Sequence, residues 1–470
     1  MDQEEFKLVR DNVHHGYIKI SSLAAKVINT AVFKRLKGIH QLQALHEVFP
    51  TGNHTRFEHS LGTMHLARRL CETLGVGRRD TELVALAGLC HDLGHGPYSH
   101  LWEVFVRTAN PGYVWEHEHS SFRMLLLAIE ENPDIEIAED DLTFIKELIC
   151  GGDKDKAAQG EYPYSARGPD QFFLYEIISN KKTGIDVDKM DYMMRDAKAL
   201  GINIKFDFEW FVDAGEPRLV SFPFSSSNPG LMVKRIAVRE KVVKNTQNLF
   251  QDRTDLHYLA YQHRTKTVFD RMYLDVWSLA DMFITVSGRD GAELALSKAC
   301  QDEVALAKLT DDWIHQSIRN SSSEELAPAR AVLKRIDQRK MYKIVGHIEN
   351  PNLPGSSSLY EEALKKIIAQ AKGSEAENKL EPTDIAITKV DINMGKGGRN
   401  PVENMLFYDK GTSEGYLKTS EQLRRFVPQQ IIDQQLFVLV KDSTKVEEAR
   451  AVVAQWARSM DWQVKIVPSC

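Results

Sequence analysis

The sequence predicts a mainly α protein, a large all-helical body followed by a smaller C-terminal α+β lobe. Three observations carry this. Between about Ser21 and Leu309 the apolar residues recur at three- and four-residue steps, the period of helices that bury one face. After Met341 the pattern turns to short β-branched runs. At 470 residues the chain also exceeds the roughly 250–300 at which a single core stops growing. A body over residues 1–345 and a lobe over 346–470 are therefore expected, the lobe packed on the body and used in oligomerisation.

Each element follows from local pattern. Leu61, His65, Leu66, Arg69 and Leu70 mark one helix, and Leu83, Leu86 and Cys90 another. The stretch from Leu83 to Cys90 is apolar all round, so that helix is expected to be buried on every side. Gly94, Gly96 and Pro97 stop it. A long helix is predicted from Val242 through Met272. Gly151 to Pro169, and Gly215 to Gly230 with its Ser225-Ser226-Ser227 run, are expected as loops. Asn350 to Ser358, with Pro351, Pro354 and Gly355, should be a linker or surface loop. A polar helix over about Leu359–Ala371 follows. The runs Asp384–Val390 and Leu436–Val440 are expected strands, and Lys445–Ser459 a final helix. No internal repeat is present.

Composition narrows the function classes. The 43% hydrophobic and 27% charged fractions are those of an ordinary globular protein. A net charge of -6 argues against nucleic acid as the main ligand, since that needs clustered Lys and Arg. Five scattered cysteines without a CxxC pair argue for reduced thiols. The acidic Met1-Asp2-Gln3-Glu4-Glu5 start is no signal peptide, and no apolar run approaches the roughly twenty residues that span a bilayer. An intracellular protein, in nucleus or cytoplasm and without a membrane partner, is expected.

The chemistry concentrates in Leu89-Cys90-His91-Asp92-Leu93-Gly94-His95-Gly96-Pro97-Tyr98-Ser99-His100. Adjacent His and Asp at a helix end can converge on one ion, and imidazole with carboxylate suits Mn, Fe, Co, Ni or Zn. Such an ion lowers the pKa of bound water from about 15.7 toward about 7. An isolated pair would more often be a core His beside a capping Asp. Three further features point to a metal: His59 on an upstream helix, Asp188 in Gly184-Ile185-Asp186-Val187-Asp188-Lys189-Met190-Asp191-Tyr192, and the nearby imidazoles His95, His100, His117 and His119.

The order His, His-Asp, Asp is the signature of the HD-domain superfamily. The flanking words Arg56-Phe57-Glu58-His59-Ser60-Leu61-Gly62, His91 to His100 and Gly184 to Tyr192 closely resemble the eukaryotic deoxynucleoside triphosphate triphosphohydrolases that pair a SAM domain with an HD domain. The resemblance runs from about Lys7 nearly to the C-terminus, through Tyr261-Gln262-His263 and Asn400-Pro401. The HD body begins almost at Met1, so a member without the SAM domain is expected.

That resemblance implies a divalent transition metal (Fe, Mn or Zn) on His59, His91, Asp92 and Asp188, with Mg on the nucleotide phosphates. It implies water attack on the α-phosphate of a dNTP, releasing deoxynucleoside and triphosphate. His100 would be the general acid, with His95, His117, Arg56 and Asp92 also catalytic and Glu103 standing where the family has an orienting Asp. Arg56, Lys189 and Arg253 match phosphate-holding positions. Gln41 and Asp196 match contacts to the sugar 3′-hydroxyl, and Tyr192 and Tyr261 match rings against the deoxyribose. Leu42, His257 and Gln262 complete the substrate set.

Regulation is where the pattern departs. The family binds GTP or dGTP beside a second dNTP and so assembles from dimer to tetramer. Its guanine-reading Asp, Gln and Arg are matched here by Asn29, Lys34 and Lys37, and an Arg of the adjoining pocket by Trp210. Lys7, Arg239, Lys241, Asn245, Arg264, Arg339 and Lys343 match the remaining nucleotide contacts. The word Asp11-Asn12-Val13-His14-His15-Gly16 replaces a shorter Asp-Pro-x-His-Gly. Loss of the carboxylate removes the acceptor for guanine N1–H and N2–H, so altered activator selectivity is expected. The implied role is control of dNTP pools, with antiviral defence as its extension. The competing readings are an HD phosphohydrolase of nucleoside monophosphates or cyclic nucleotides, and a nucleic-acid-binding scaffold with a vestigial site.

Overall fold

Thr55 opens the helix on which the site depends. Its N–H donates to the Glu58 carboxylate at 2.9 Å, satisfying one of the donors that a helix start leaves unpaired. The computed structural model describes residues 6–11, 13, 15–350, 353–371, 380–412, 414–426 and 432–466. Met1–Glu5, Asn12, His14, Pro351 and Cys470 lie outside them.

A hairpin of β1 (Lys7–Asp11) and β2 (Gly16–Ile20) leads into α1 (Ser22–Ile28) and α2 (Ala31–Lys34). The body then comprises α3 (Arg56–Thr73), α4 (Arg78–Cys90), α5 (His100–Ala109), α6 (His117–Glu131), α7 (Glu139–Cys150) and α8 (Val187–Leu200). Thr81 and every residue of α4 from Leu83 to Cys90 are buried, as the unbroken apolar run requires. Asp186 caps α8 by accepting from Lys189 N–H at 3.0 Å, and Gly201, at φ 66°, ends it in the left-handed conformation.

Two expectations change here. Gly215–Gly230 is not a loop: β3 (Arg218–Ser225) and β4 (Asn228–Arg239) pair antiparallel across it. The serine run is the hairpin's turn; of β3 only Val220 is fully buried, and residues 228–232 of β4, nearest the turn, are exposed or half-buried, so the apolar alternation is weak. Nor does one helix run from Val242 to Met272. α9 (Val243–Leu256) passes into a π-turn over His257–Tyr261, and α10 (Arg264–Ala280) restarts where His263 Nδ1 accepts from Thr265 N–H at 3.2 Å. A π-turn carries no sequence period of its own and often marks a functional site; this one presents His257 and Tyr261.

Beyond a small pair, β5 (Thr285–Ser287) and β6 (Glu293–Ala295), the body ends in α11 (Asp311–Asn320) and α12 (Ala327–Asp337). An antiparallel sheet follows in the order β11-β7-β10-β8, from β7 (Lys343–Glu349), β8 (Ile385–Ile392), β10 (Asp433–Val440) and β11 (Val464–Ile466). β9 (Leu406–Tyr408) leaves this sheet and pairs parallel with β4. Side chains alternate across a strand. Leu436, Val438 and Val440 therefore face a small core with α13 (Ser357–Ala371) and α14 (Val446–Ser459), while Phe437 and Leu439 join the main core. Met394, Val402, Met405 and Phe407 are also main-core residues. No helix among the described residues is long and apolar enough to cross a membrane.

Candidate metal centre and substrate cavity

Three helices bring four side chains to one point. His59 lies in α3 and is wholly buried, His91 and Asp92 follow the last turn of α4, and Asp188 is the second residue of α8. His59 Nε2 is 3.1 Å from Asp188 Oδ1 and 3.4 Å from Asp92 Oδ2. His91 Nε2 is 3.4 Å from Asp92 Oδ1 and 3.5 Å from Asp188 Oδ1. Bonds of about 2.0–2.2 Å to a shared ion subtend separations of this size.

The tautomers suit the same end. His91 Nδ1–H donates to the Gly88 carbonyl at 2.7 Å, and His59 Nδ1–H to Asp191 at 2.8 Å. Both rings thus turn Nε2 to the centre, and His91 Nε2 is buried without a hydrogen-bond partner among the described residues. Burial opposes charge on His59, yet its hydrogen bonds to Asp188 and Asp191 raise its pKa to about 10. Burial likewise opposes ionisation of Asp188, and its bond to His59, with the imidazole of His91 beside it, outweighs that and lowers its pKa. The donor set favours a positive charge at its middle, and a divalent cation fits it.

A second cluster gathers on Glu103 of α5. His100 Nδ1 lies 3.0 Å and His117 Nδ1 2.9 Å from Glu103 Oε1, with His95 Nδ1 at 3.9 Å. The His95 and His117 rings stack at 4.0 Å, and His95 Nε2 is 3.3 Å from Asp92 Oδ1, so the two clusters adjoin. Desolvation, helped by the Arg56 cation, holds His95 well below the usual imidazole range. Burial acts the same way on His117, but its bond to Glu103 prevails and raises it. One ring is therefore kept neutral and its neighbour inclined to hold a proton. The linking turn is tight: Tyr98 and Ser99 have φ of 55° and 57°, and a Cβ on Gly96 would stand 2.1 Å from Trp102.

Both clusters open on a cavity of about 880 Å³, ample for a nucleotide. Gln41, Leu42, Arg56, Tyr192, Asp196, Arg253, His257, Tyr261 and Gln262 line it together with His91, Asp92, His95, His100, His117 and Asp188. Tyr261 OH donates to Asp196 Oδ2 at 2.5 Å, and His54 Nε2 is 2.7 Å from Asp196 Oδ1. Arg56 donates to Asp92 at 2.5 Å and to Ser99 at 2.9 Å. Burial, with Arg253 and Lys266 nearby, lowers His257 to about 3, leaving a neutral ring in the cavity wall. Lys189 is not among the lining residues; its ammonium rests 3.7 Å from Asp186. The cavity continues past Gln262 along α10 to Glu361 and Lys389.

Comparison with known proteins agrees with this geometry. The HD domain family matches residues 56–170, which hold His59, the His91-Asp92 pair and the whole imidazole cluster. Deoxynucleoside triphosphate triphosphohydrolase SAMHD1 of Gallus gallus is 36% identical over 97% of this chain and 76% of its own length. The Homo sapiens protein of that name is 35% identical over 96% and 74%. A Dictyostelium discoideum homolog is 27% identical over 94% and 79%. The chain belongs to the SAMHD1 family of HD-domain deoxynucleoside triphosphate triphosphohydrolases. An HD domain implies a divalent metal, and two adjoining groups carry donors that could hold one: His59, His91 and Asp188, with Asp92 beside them, and His95, His100, Glu103 and His117.

The nucleotide positions suggested by the SAMHD1 resemblance are spread over several elements of this chain. Asn29, Lys34 and Lys37 meet at the α1–α2 corner, where Lys34 Nζ donates to the Asn29 carbonyl at 2.8 Å and Lys37 lies 4.6 Å from the Phe57 ring. Lys7 is exposed on β1. Arg239 and Lys241 share Glu216, at 2.5 and 3.7 Å, while Asn245 is buried with its amide bonded to both backbone groups of Asp207. Arg264 begins α10, Arg339 donates to the Glu47 carbonyl at 2.9 Å, and Lys343 begins β7. Trp210 is half exposed in a π-turn. Three residues of the site had no role assigned from sequence: Asp191, His54 and His15, whose Nε2 is 2.6 Å from Asp191 Oδ1. For Asp191 a signal existed, because it follows Asp188 at the three-residue step that shares a helix face.

Proposed function

We propose that this protein hydrolyses dNTPs at the α-phosphate, releasing deoxynucleoside and inorganic triphosphate. The observation that carries the reading is the convergence of His59, His91, Asp92 and Asp188 at a cavity that Tyr192, Tyr261 and Asp196 also line. A divalent ion (Fe, Mn or Zn) supplies Lewis-acid polarisation and acidifies water. The chain's own residues do the rest. Arg56 and Arg253, with Lys189 behind them, offset the triphosphate charge where water is scarce, with Mg on the phosphates. His100, held by Glu103 and backed by His117, carries the proton for the 5′ leaving oxygen. Asp196 and Gln41 hold the 3′-hydroxyl; the Tyr192 and Tyr261 rings leave no space for a 2′-hydroxyl. Gln41 Oε1 is buried with no partner among the described residues, as an acceptor reserved for a ligand would be.

The same reading makes residues 346–470 an assembly lobe, and places an activating nucleotide at Lys7, Asn29, Lys34, Lys37, Arg239, Lys241, Asn245, Arg264, Arg339 and Lys343, bridging chains from dimer to tetramer. With Asn29 in place of a carboxylate, guanine is read weakly, and the role is control of dNTP pools. Two experiments test this. Incubation with each dNTP and Mn(II) should release triphosphate; pyrophosphate or monophosphate would overturn the mechanism. Titration of GTP, ATP and dATP should show activation without strict GTP dependence, and an absolute requirement for GTP would sink the selectivity argument.

A further inference from the structure

Asp191 of α8 is wholly buried and accepts from both sides of the fold. His59 Nδ1–H reaches Oδ2 at 2.8 Å, and Arg195 donates from Nε and Nη2 at 3.0 Å each. A further bond comes from the N-terminal hairpin, where His15 Nε2 is 2.6 Å from Oδ1. Arg195 in turn donates to Asp11 of the same hairpin at 3.1 Å. Helix α3 makes room for this: a Cβ on Gly62 would fall 1.8 Å from Asp191 Oδ1 and 2.5 Å from Arg195 Nη2. The hairpin itself has little apolar anchorage. Residues 7–10 of β1 are exposed, and only Ile18 and Ile20 of β2 are buried.

We propose that His15 and Asp11 are positioning residues for the metal centre, the hairpin setting the tautomer and aim of His59 through Asp191 and Arg195. The inference rests on the reading of His59 as a metal ligand. Asp191 fixes the proton on His59 Nδ1, so that Nε2 faces Asp188 and Asp92 and is the nitrogen a cation would take. Asp191 can do so only while it is held itself, and two of its donors, His15 and Arg195, are supplied or braced by the hairpin. His15 also lies 4.9 Å from the His65 ring, two turns along α3 from His59.

Mn(II) titrated into metal-stripped protein, with free Mn(II) read by electron paramagnetic resonance, tests this without reference to turnover. His15→Phe keeps a ring against His65 but removes the donor; it should weaken Mn(II) binding about 10- to 100-fold. His15→Gln places an amide N–H at similar reach and should recover most of the affinity, which a merely structural role for the ring would not predict. Asp11→Asn should give a smaller loss in the same direction. Wild-type affinity in both His15→Phe and Asp11→Asn overturns the inference. Should His15→Phe not fold, Asp11→Asn decides alone, with unchanged affinity counting against it. His91→Ala separates the two layers: its loss of Mn(II) keeps the ligand reading whatever the hairpin variants do, and its retention removes both.

Discussion

Glu103 binds His100 and His117 at once, and its charge keeps a proton on His117 against the cost of burial. The linkage can be worked through. His117 is raised above its ordinary 6.5, so its share of stability is complete below that pH and is lost as pH rises through the raised value. Glu103 is lowered from 4.5, so its share is present above 4.5 and is lost only in stronger acid. Both groups are charged between these limits. Glu103→Gln should therefore cost about 2 kcal/mol near pH 6, shrinking toward pH 9, in urea denaturation at the two pH values. With its counter-charge gone, His117 releases its proton earlier, so the alkaline limb of kcat should move to lower pH; an unmoved limb would separate this cluster from proton transfer. At the metal centre, His91→Ala removes a nitrogen that has no hydrogen-bond partner among the described residues. Its metal content should fall below that of wild type, with triphosphate release abolished; retention of both would mean that the ion sits elsewhere.

Elements matter here through what they pin. Arg35, just after α2, is buried and donates Nε to the Leu309 carbonyl at 2.9 Å, Nη1 to Leu93 at 3.0 Å and Nη2 to His95. One guanidinium thus ties the turn after Asp92 to the corner that carries Lys34 and Lys37. Arg35→Ala leaves three buried carbonyls unpaired and a cavity besides, and should cost about 3–5 kcal/mol, read as a lower urea midpoint. The turn from Leu93 to Ser99 should loosen with it, so the variant's metal content should also drop. Helix α4, its glycine stop and the grouping of His59, His91, Asp92 and Asp188 were legible in the sequence because their signals are local: an apolar run, Gly94 and Gly96, and a His-Asp pair at a helix end. The β3–β4 hairpin was not, because few of its side chains are buried and its serine turn outweighed them. The link from His15 to Asp191 was not legible either, since it joins residues 176 apart and no spacing rule reaches that far. The break at His257–Tyr261 leaves the apolar period on both sides intact, and so a single helix was expected where the chain makes two.

At the scale of the molecule, the C-terminal segment returns to the site instead of standing beside it. Arg253, a proposed phosphate holder, donates to the Asn393 carbonyl at 2.5 Å, and β9 completes the sheet of β3 and β4. The sheet lobe is fixed to α10 by Glu361, a buried carboxylate that accepts from Arg271 at 2.7 Å, Lys365 at 2.7 Å and Ile387 N–H at 3.0 Å. Asp275 adds bonds from Tyr342 at 2.8 Å and Lys441 at 2.6 Å. Burial opposes the charge on Glu361, but Arg271 and the other donors hold its pKa below the usual value. Removing one member of such a pair strands the other, at a cost of about 3–5 kcal/mol. Glu361→Leu should therefore lower the melting temperature and, because Asn393 follows β8, disturb Arg253 as well. A raised KM for dNTP with little change in kcat is the expected signature of the proposed role of Arg253, which is to hold the triphosphate rather than the reacting bond. Removal of residues 346–470 is the stronger form of the same test. It takes Ile392, Met394, Val402, Met405 and Phe407 out of the main core, so the remaining body should fail to fold to an active monomer. A truncated chain that stayed soluble, melted cooperatively and hydrolysed dNTPs would show the lobe to be an accessory, and Arg253 to be held by the body alone.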